Sequence, residues 1–156
     1  MKLLLFFLVV LVLLLYLIIP KTKWASLLNF SERIFFLINF LGVIFGALGL
    51  VLTFLLPKQI MDNHIYELIL FPVFIAYIYV AILAKIKGIE NIYDEKQIYD
   101  MNRAAATTIP FSVFFMFLIY AFLKENDLHS LVWFPAYIFT TITVYSSSTL
   151  YYFKKS

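Results

Sequence analysis

The two histidines of the chain each stand among carboxylates, close to the start of an apolar block. The two groups are Asp62, His64 and Glu67, and Glu125, Asp127 and His129. Imidazole and carboxylate groups on one side of a membrane would suit a divalent metal ion. Their spacing fixes no coordination geometry, so His64 and His129 are weak candidate ligands. Solvated residues of short polar loops are the simpler interpretation.

Other familiar chemistries have no residues to support them. The chain has no cysteine, which excludes disulfides, thiolate metal sites and thiol nucleophiles. It has no HExxH, GxSxG, P-loop or Rossmann glycine pattern. We therefore predict no catalytic residue, no cofactor and no enzyme activity. A membrane enzyme that uses the histidines and carboxylates described above is kept as an alternative.

The elements that position these residues are five apolar blocks in a chain of 156 residues. The sequence is 64% hydrophobic and only 13% charged, whereas soluble domains are nearer half apolar and a quarter charged. Continuous apolar blocks without alternation predict membrane helices rather than barrel strands. We predict an all-α bundle of five transmembrane helices forming one domain, residues 1–156. The predicted spans are 3–19, 34–56, 65–84, 104–123 and 131–153.

The first block also resembles a secretory signal, because Lys2 precedes a long apolar run. The run is longer than a usual signal core and no A-x-A-like site follows it. Lys21 and Lys23 also place its stronger positive flank downstream. We expect the block to be retained; if it were cleaved, four spans would keep the same orientation.

The positive charges predict how the spans are oriented. With five spans, nine of the twelve Lys and Arg residues fall on one side of the membrane. They are Lys21, Lys23, Arg33, Lys85, Lys87, Lys96, Arg103, Lys154 and Lys155. The positive-inside rule assigns that side to the cytoplasm, which leaves the N-terminus outside and the C-terminus in the cytoplasm of a cell-membrane protein. The net charge of +3 is too small and scattered to indicate nucleic acid.

The second block carries a stripe of small residues, Gly42, Gly46, Gly49 and Thr53. They recur at i, i+4, i+7 and i+11, on one helix face. Small residues allow membrane helices to approach closely, so we predict a packing seam. A helix of the same chain is the favoured partner, and another subunit is the alternative.

The fifth block contains a hydroxyl-rich run, Thr140–Thr149. Its residues either bond back to carbonyls of their own helix or form a polar lining that faces a cavity or partner. The candidate lining residues are Thr140, Thr141, Thr143, Ser146, Ser147 and Ser148. No charged residue lies in the middle of any block, which argues against an ion-coupled carrier.

The densest charges occur in IYDEKQIYDMNRAAA, Ile92 to Ala106. Asp94 followed three residues later by Gln97 resembles a capping box, which predicts a helix beginning at Glu95. If a new helix began at Pro110, it would span only about 21 Å before Leu123, short of the roughly 30 Å hydrocarbon core. One continuous helix from Glu95 to Leu123 is therefore predicted.

On this helix Lys96, Asp100 and Arg103 recur at i, i+4 and i+7, so they can pair with one another. A second stripe, apolar and then small, requires a neighbouring helix. It consists of Ile98, Met101, Ala105, Thr108 and Ser112. Ile92, Tyr93 and Tyr99 are expected at the lipid headgroups.

The segment YDEKQIYDMNRAAA resembles the D-E-[RK] element that precedes a membrane helix in small, uncharacterised multi-pass proteins of bacteria and archaea. Asp94, Glu95 and Lys96 match the element, and Arg103–Ala106 match the entry into the membrane. The resemblance covers about fifteen residues. It implies an orientation and no catalytic role.

These patterns lead to one main functional hypothesis and one further alternative. The first is a non-enzymatic protein that acts through helix contacts as an accessory, regulatory or effector subunit. Its expected partners are the lipid bilayer and either itself or another membrane protein. The alternative is a small oligomeric channel or pore lined by the Thr140–Thr149 face.

Overall fold

The structure is a computed structural model, and it describes residues 10–11, 14–22, 30–55, 65–126 and 132–155. The chain is helical throughout most of these ranges. Helix α1 is described at residues 10–11 and 14–18 and leads into a 3-10 turn, Ile19–Lys21. The long helices are α2 (Glu32–Leu55), α3 (Ile65–Lys87), α4 (Glu95–Asn126) and α5 (Trp133–Lys155). No strand occurs in the ranges just given.

Local signals explain where α2 and α3 begin or end. The Ser31 hydroxyl accepts a hydrogen bond from the Ile34 amide (3.4 Å) and so caps the first turn of α2. Helix α3 ends at Gly88, whose φ of +81° lies in the left-handed region that glycine adopts without strain. The Gly88 amide donates to the Ala84 carbonyl at 3.0 Å, which closes the last turn.

The start of α4 confirms the predicted capping box. The Gln97 amide donates to Asp94 Oδ1 (2.6 Å), and the Asp94 amide donates to Gln97 Oε1 (3.3 Å). Helix α4 begins at Glu95 and continues through Pro110 to Asn126, as one element. The predicted continuous helix is therefore confirmed, and it ends three residues beyond Leu123.

The long helices pack in the spatial order α3, α2, α5, α4. Helix α5 thus lies between α2 and α4, and α2 lies between α3 and α5. Chain order and spatial order differ because α5 returns between two earlier helices. Helix α4 stands at the edge of this row and packs mainly on α5.

One end of the bundle is closed by an aromatic and aliphatic cluster. Phe35 of α2, Leu83 of α3 and Tyr93 of the α3–α4 connection are all buried there. The rings of Phe35 and Phe153 lie 5.3 Å apart, which brings the C-terminal end of α5 to the same place. Ile92 and Tyr93, which can lie at the headgroups according to the sequence, are each only 8% exposed, because they pack within this cluster.

Three of the helical segments are long and apolar enough to cross a membrane: Glu32–Leu55, Leu68–Lys87 and Glu95–Ala121. Membrane helices are thus supported, and the prediction of five of them is supported for three. Helix α5 has sufficient length, 23 residues, but the hydroxyl-rich run makes it more polar. The first predicted span, residues 3–19, falls largely outside the described residues.

Candidate functional site

The small-residue stripe of α2 lies directly against α5. Gly42, Gly46, Gly49 and Thr53 are all buried. A Cβ atom added to Gly42 would overlap Ser146 Oγ and lie 2.9 Å from Ser146 Cβ. One added to Gly46 would lie 3.0 Å from the Thr143 backbone nitrogen. The close approach of α2 and α5 therefore requires that these positions carry no side chain.

The two helices run antiparallel along this seam. Going from Gly42 to Gly49 on α2, the facing residue on α5 moves back from Ser146 to Phe139. At Gly49 an added Cβ would overlap the Phe139 ring, which is fully buried. The stripe and the hydroxyl-rich run, recognised separately in the sequence, thus lie against each other within one chain.

Three of the seven Ser and Thr hydroxyls of the run, those of Thr141, Thr143 and Thr149, bond to carbonyls of their own helix. Thr143 donates to the Phe139 carbonyl at 2.7 Å, and Thr149 donates to the Tyr145 carbonyl at 2.8 Å. This i−4 pattern satisfies a hydroxyl without any external partner. Ser147 is exposed, and Ser148 is partly buried. A pore along this run would need the hydroxyls to face an open path, whereas most of them lie between α2 and α4.

Two hydroxyls at the centre of α5 differ from the others. Thr140 Oγ1 and Ser146 Oγ are buried and have no hydrogen-bond partner of regular geometry among the described residues. The Tyr77 hydroxyl of α3 approaches Ser146 without closing such a bond. A buried hydroxyl left unsatisfied costs about 1–3 kcal/mol. These atoms are the least favourable polar groups of the seam.

Helix α4 contacts α5 through hydroxyls and cations. Ser112 Oγ lies 3.1 Å from Thr141 Oγ1. Thr107 donates to the Arg103 carbonyl, so its oxygen accepts from the Tyr152 hydroxyl, 3.1 Å away. These bonds fix the register of the two helices at two depths.

The cations of α4 lie over aromatic rings of α5. The Arg103 guanidinium is 4.4 Å from the centre of the Tyr152 ring, and Lys96 Nζ is 5.5 Å from the centre of the Phe153 ring. Such cation–π contacts contribute about 0.5–1 kcal/mol when they are exposed. The spacing of Lys96, Asp100 and Arg103 predicts pairing along α4 and does not reveal these ring contacts. Those contacts join residues about 50 positions apart in the sequence, and no local spacing reveals them.

In the N-terminal part of α4, the buried stripe lies one residue earlier in the sequence than predicted. Thr108 and Ser112 are buried as expected. Ala104 is fully buried, whereas Ala105 is only partly buried. Gln97 and Asp100 are buried as well, and Ile98 and Met101 pack at the side of the Phe35 cluster. The capping box explains part of the shift, because it turns Gln97 toward the bundle.

The C-terminal half of α4 presents an apolar groove beside the start of α5. The groove measures about 440 Å³ and is lined by Val113, Met116, Phe117, Tyr120 and Trp133. Phe117 and Tyr120 are 69% and 64% exposed. We call these five residues the α4 groove. No other helix in the described part of the chain fills it.

The candidate metal ligands His64 and His129 lie outside the described residues. Within the described ranges, no three histidine, cysteine or carboxylate residues come together as a metal site would need. Comparison with protein families, curated proteins and solved structures finds no match to this chain.

Proposed function

We propose that the chain is a five-span protein of the cell membrane with its N-terminus outside and its C-terminus in the cytoplasm. The support is the distribution of the Lys and Arg residues in the bundle. The end of the bundle that holds Phe35 and Phe153 also holds the start of α4 and the end of α3. The described cations at this end are Lys21, Arg33, Lys85, Lys87, Lys96, Arg103, Lys154 and Lys155. An excess of Lys and Arg marks the cytoplasmic side of membrane proteins.

The absence of cysteine makes this orientation directly measurable, because any introduced thiol is the only one. Single variants Ser156→Cys and Lys58→Cys are treated in intact cells with a membrane-impermeant maleimide. We expect Lys58→Cys to be labelled and Ser156→Cys to be labelled only after the membrane is permeabilised. The opposite pattern would reverse the proposed orientation.

Within the membrane, we propose that the protein acts through helix contacts, as an accessory, regulatory or effector subunit. The observation that carries this proposal is the α4 groove on the edge helix of the bundle. The glycine seam and the Thr108–Ser112 face are already occupied by α5, so neither is left for a partner. The α4 groove has no such neighbour in the described chain.

The chemistry of the α4 groove suits an apolar transmembrane helix. Its surface is almost wholly apolar, and its polar groups are the Tyr120 hydroxyl and the Trp133 indole nitrogen. An aromatic and methionine surface adapts its shape to an apolar partner helix. A second copy of this chain and another membrane protein both supply such a helix, and the test separates them.

The test is photocrosslinking in the native membrane, with benzoylphenylalanine at Val113 or Phe117. Matched controls carry the same probe at Leu37 and Val51, which are 52% and 55% exposed on α2. We expect protein adducts at the α4 positions and lipid adducts at the α2 positions. The mass of the adduct identifies a second copy or a different protein. Equal protein crosslinking at all four positions would remove the proposal.

A further inference from the structure

A separate cavity lies inside the bundle, beside the cluster that contains Phe35 and Tyr93. It measures about 180 Å³ and is bounded by α2, α3, α4, α5 and the α3–α4 connection. Its aromatic and polar lining includes Phe30, Phe35, Asn39, Tyr77, Tyr93 and Tyr145. We call it the tyrosine cavity. Phe35 and Tyr93 also belong to the cluster that closes the end of the bundle, and the proposed helix contacts do not involve the cavity.

The polar groups of the tyrosine cavity are hydrogen-bonding but uncharged. Asn39 Nδ2 donates to the Phe35 carbonyl at 2.9 Å, which leaves the amide oxygen to accept from something else. In the described structure that oxygen has no protein donor. Three tyrosine hydroxyls can each donate or accept. Among the described residues that line the cavity there is no Asp, Glu, Lys, Arg or His.

The aromatic groups already form an edge-to-face array at the cavity wall. The rings of Phe30 and Tyr93 have centroids 5.0 Å apart and an interplanar angle of 74°. Phe35 completes the set, 5.8 Å from Tyr93 at 76°. Aromatic rings prefer this arrangement because the positive edge of one meets the negative face of another. A further ring entering the cavity would extend the same pattern.

Size and charge then restrict the ligand. An engineered protein cavity of about 150 Å³ accepts benzene, so about 180 Å³ accommodates one six-membered ring with a small substituent. A charged ligand would meet no opposite charge and would lose its hydration. A purely aliphatic ligand would leave the Asn39 amide oxygen without a donor.

We propose that the tyrosine cavity binds a neutral, phenol-like molecule: one aromatic ring with a hydroxyl that donates to Asn39 Oδ1 and accepts from the Tyr93 hydroxyl. The ring packs edge-to-face against Phe30, Phe35 and Tyr93. The same ring chemistry is available as a free small molecule or as the head group of a lipid with an apolar tail. This assignment is independent of the proposed helix contacts.

The experiment is equilibrium dialysis of p-cresol against the full chain in lipid nanodiscs, with empty nanodiscs as the background. We expect saturable binding at one molecule per chain. Cyclohexanol has no aromatic ring, and benzoate carries a charge, so neither compound should show saturable binding. If p-cresol shows no saturable excess over empty nanodiscs, or cyclohexanol binds equally well, the proposal is wrong.

Variants locate the binding. Asn39→Leu removes the acceptor at nearly constant volume, and Tyr93→Phe removes one hydroxyl; each should weaken p-cresol binding about three- to tenfold. Tyr151→Phe, at a side chain 60% exposed, is the matched control and should bind as the parent does. Circular dichroism confirms that each variant is folded. Unchanged affinity in a folded Tyr93→Phe variant would overturn the assignment even if Asn39→Leu does not fold.

A tailed probe separates the two sources of the ring. The compound 4-nonylphenol carries the same ring on an alkyl chain, and its partitioning into empty nanodiscs is subtracted. Tighter saturable binding than p-cresol would assign a lipid head group, and weaker binding would assign a free small molecule. Both results support a phenol site, provided that p-cresol itself binds saturably.

Discussion

Ser146 of α5 occupies the space in which Gly42 of α2 would carry a side chain. A Cβ atom on residue 42 would lie 2.9 Å from Ser146 Cβ, closer than carbon atoms pack. This contact sets how closely the two helices approach, and it repeats at Gly46 and Gly49. The bundle therefore depends on the absence of three side chains as much as on the presence of others.

Gly42→Ala should destabilise the bundle by about 1–3 kcal/mol, because the new methyl group forces α2 and α5 apart. Unfolding by denaturant in detergent micelles or bicelles measures the change. The double variant Gly42→Ala with Ser146→Gly removes the opposing Cβ and should recover much of the loss. A single variant as stable as the parent would contradict the close approach.

Thr140→Val should stabilise the protein by about 1 kcal/mol. It removes a buried hydroxyl that has no partner in the described structure, at nearly constant shape. The comparison is Thr141→Val, which removes a hydroxyl within reach of both Ser112 and the Tyr137 carbonyl. That variant should lose stability. The same unfolding assay distinguishes them, and equal effects would show that Thr140 has a partner.

Asp94→Ala should destabilise the start of α4 by about 0.5–2 kcal/mol, since it removes the acceptor of the Gln97 amide. Asp94→Asn keeps an acceptor oxygen and should cost much less. Hydrogen exchange of the first turn of α4, read by mass spectrometry, locates the effect. Equal exchange in parent and Asp94→Ala would mean that the cap does not hold this turn.

The Tyr93 hydroxyl should lose its proton at a higher pH than an exposed tyrosine does. Burial raises its pKa to about 12, and the nearby Tyr145 and Tyr77 add to this effect. In the unfolded chain a tyrosine has a pKa near 10. The unfolded state therefore releases this proton first, and the stability that Tyr93 contributes is complete below pH ~10 and falls between pH ~10 and ~12.

The titration can be followed by tyrosinate absorbance in the folded protein. Subtracting the curve of the Tyr93→Phe variant from that of the parent isolates the Tyr93 hydroxyl. The difference should have its midpoint at about pH 12. In denaturant the same difference should move to about pH 10. A folded midpoint that matches the denatured one would show that the hydroxyl is open to water.

Several features of the fold follow from local patterns in the sequence. The start of α4 is encoded by Asp94 and Gln97 three residues apart, and its continuation through Pro110 follows from the length that a membrane requires. The glycine stripe is visible as a face that lacks side chains. Each of these signals lies within one helix, where the spacing of residues determines geometry directly.

The sequence reveals less about which helix surfaces pack against each other. Glycines at 42 and 46 predict close packing but do not name Ser146 and Thr143 as the residues that fill the space. Tyr93 was expected at the headgroups because it stands in a charged segment, yet Phe30 and Phe35 enclose it. The tyrosine cavity combines residues from four helices and a connection, and no single segment carries its signature.

The position of α5 between α2 and α4 has a consequence for biogenesis. During synthesis, α2 is complete well before α5 emerges from the ribosome, so Gly42, Gly46 and Gly49 at first lack the helix that packs against them. Helices α2 and α3 can pack together earlier, whereas α2 and α4 must leave room for α5 between them. A quality-control protease or membrane chaperone would encounter an open bundle throughout that interval.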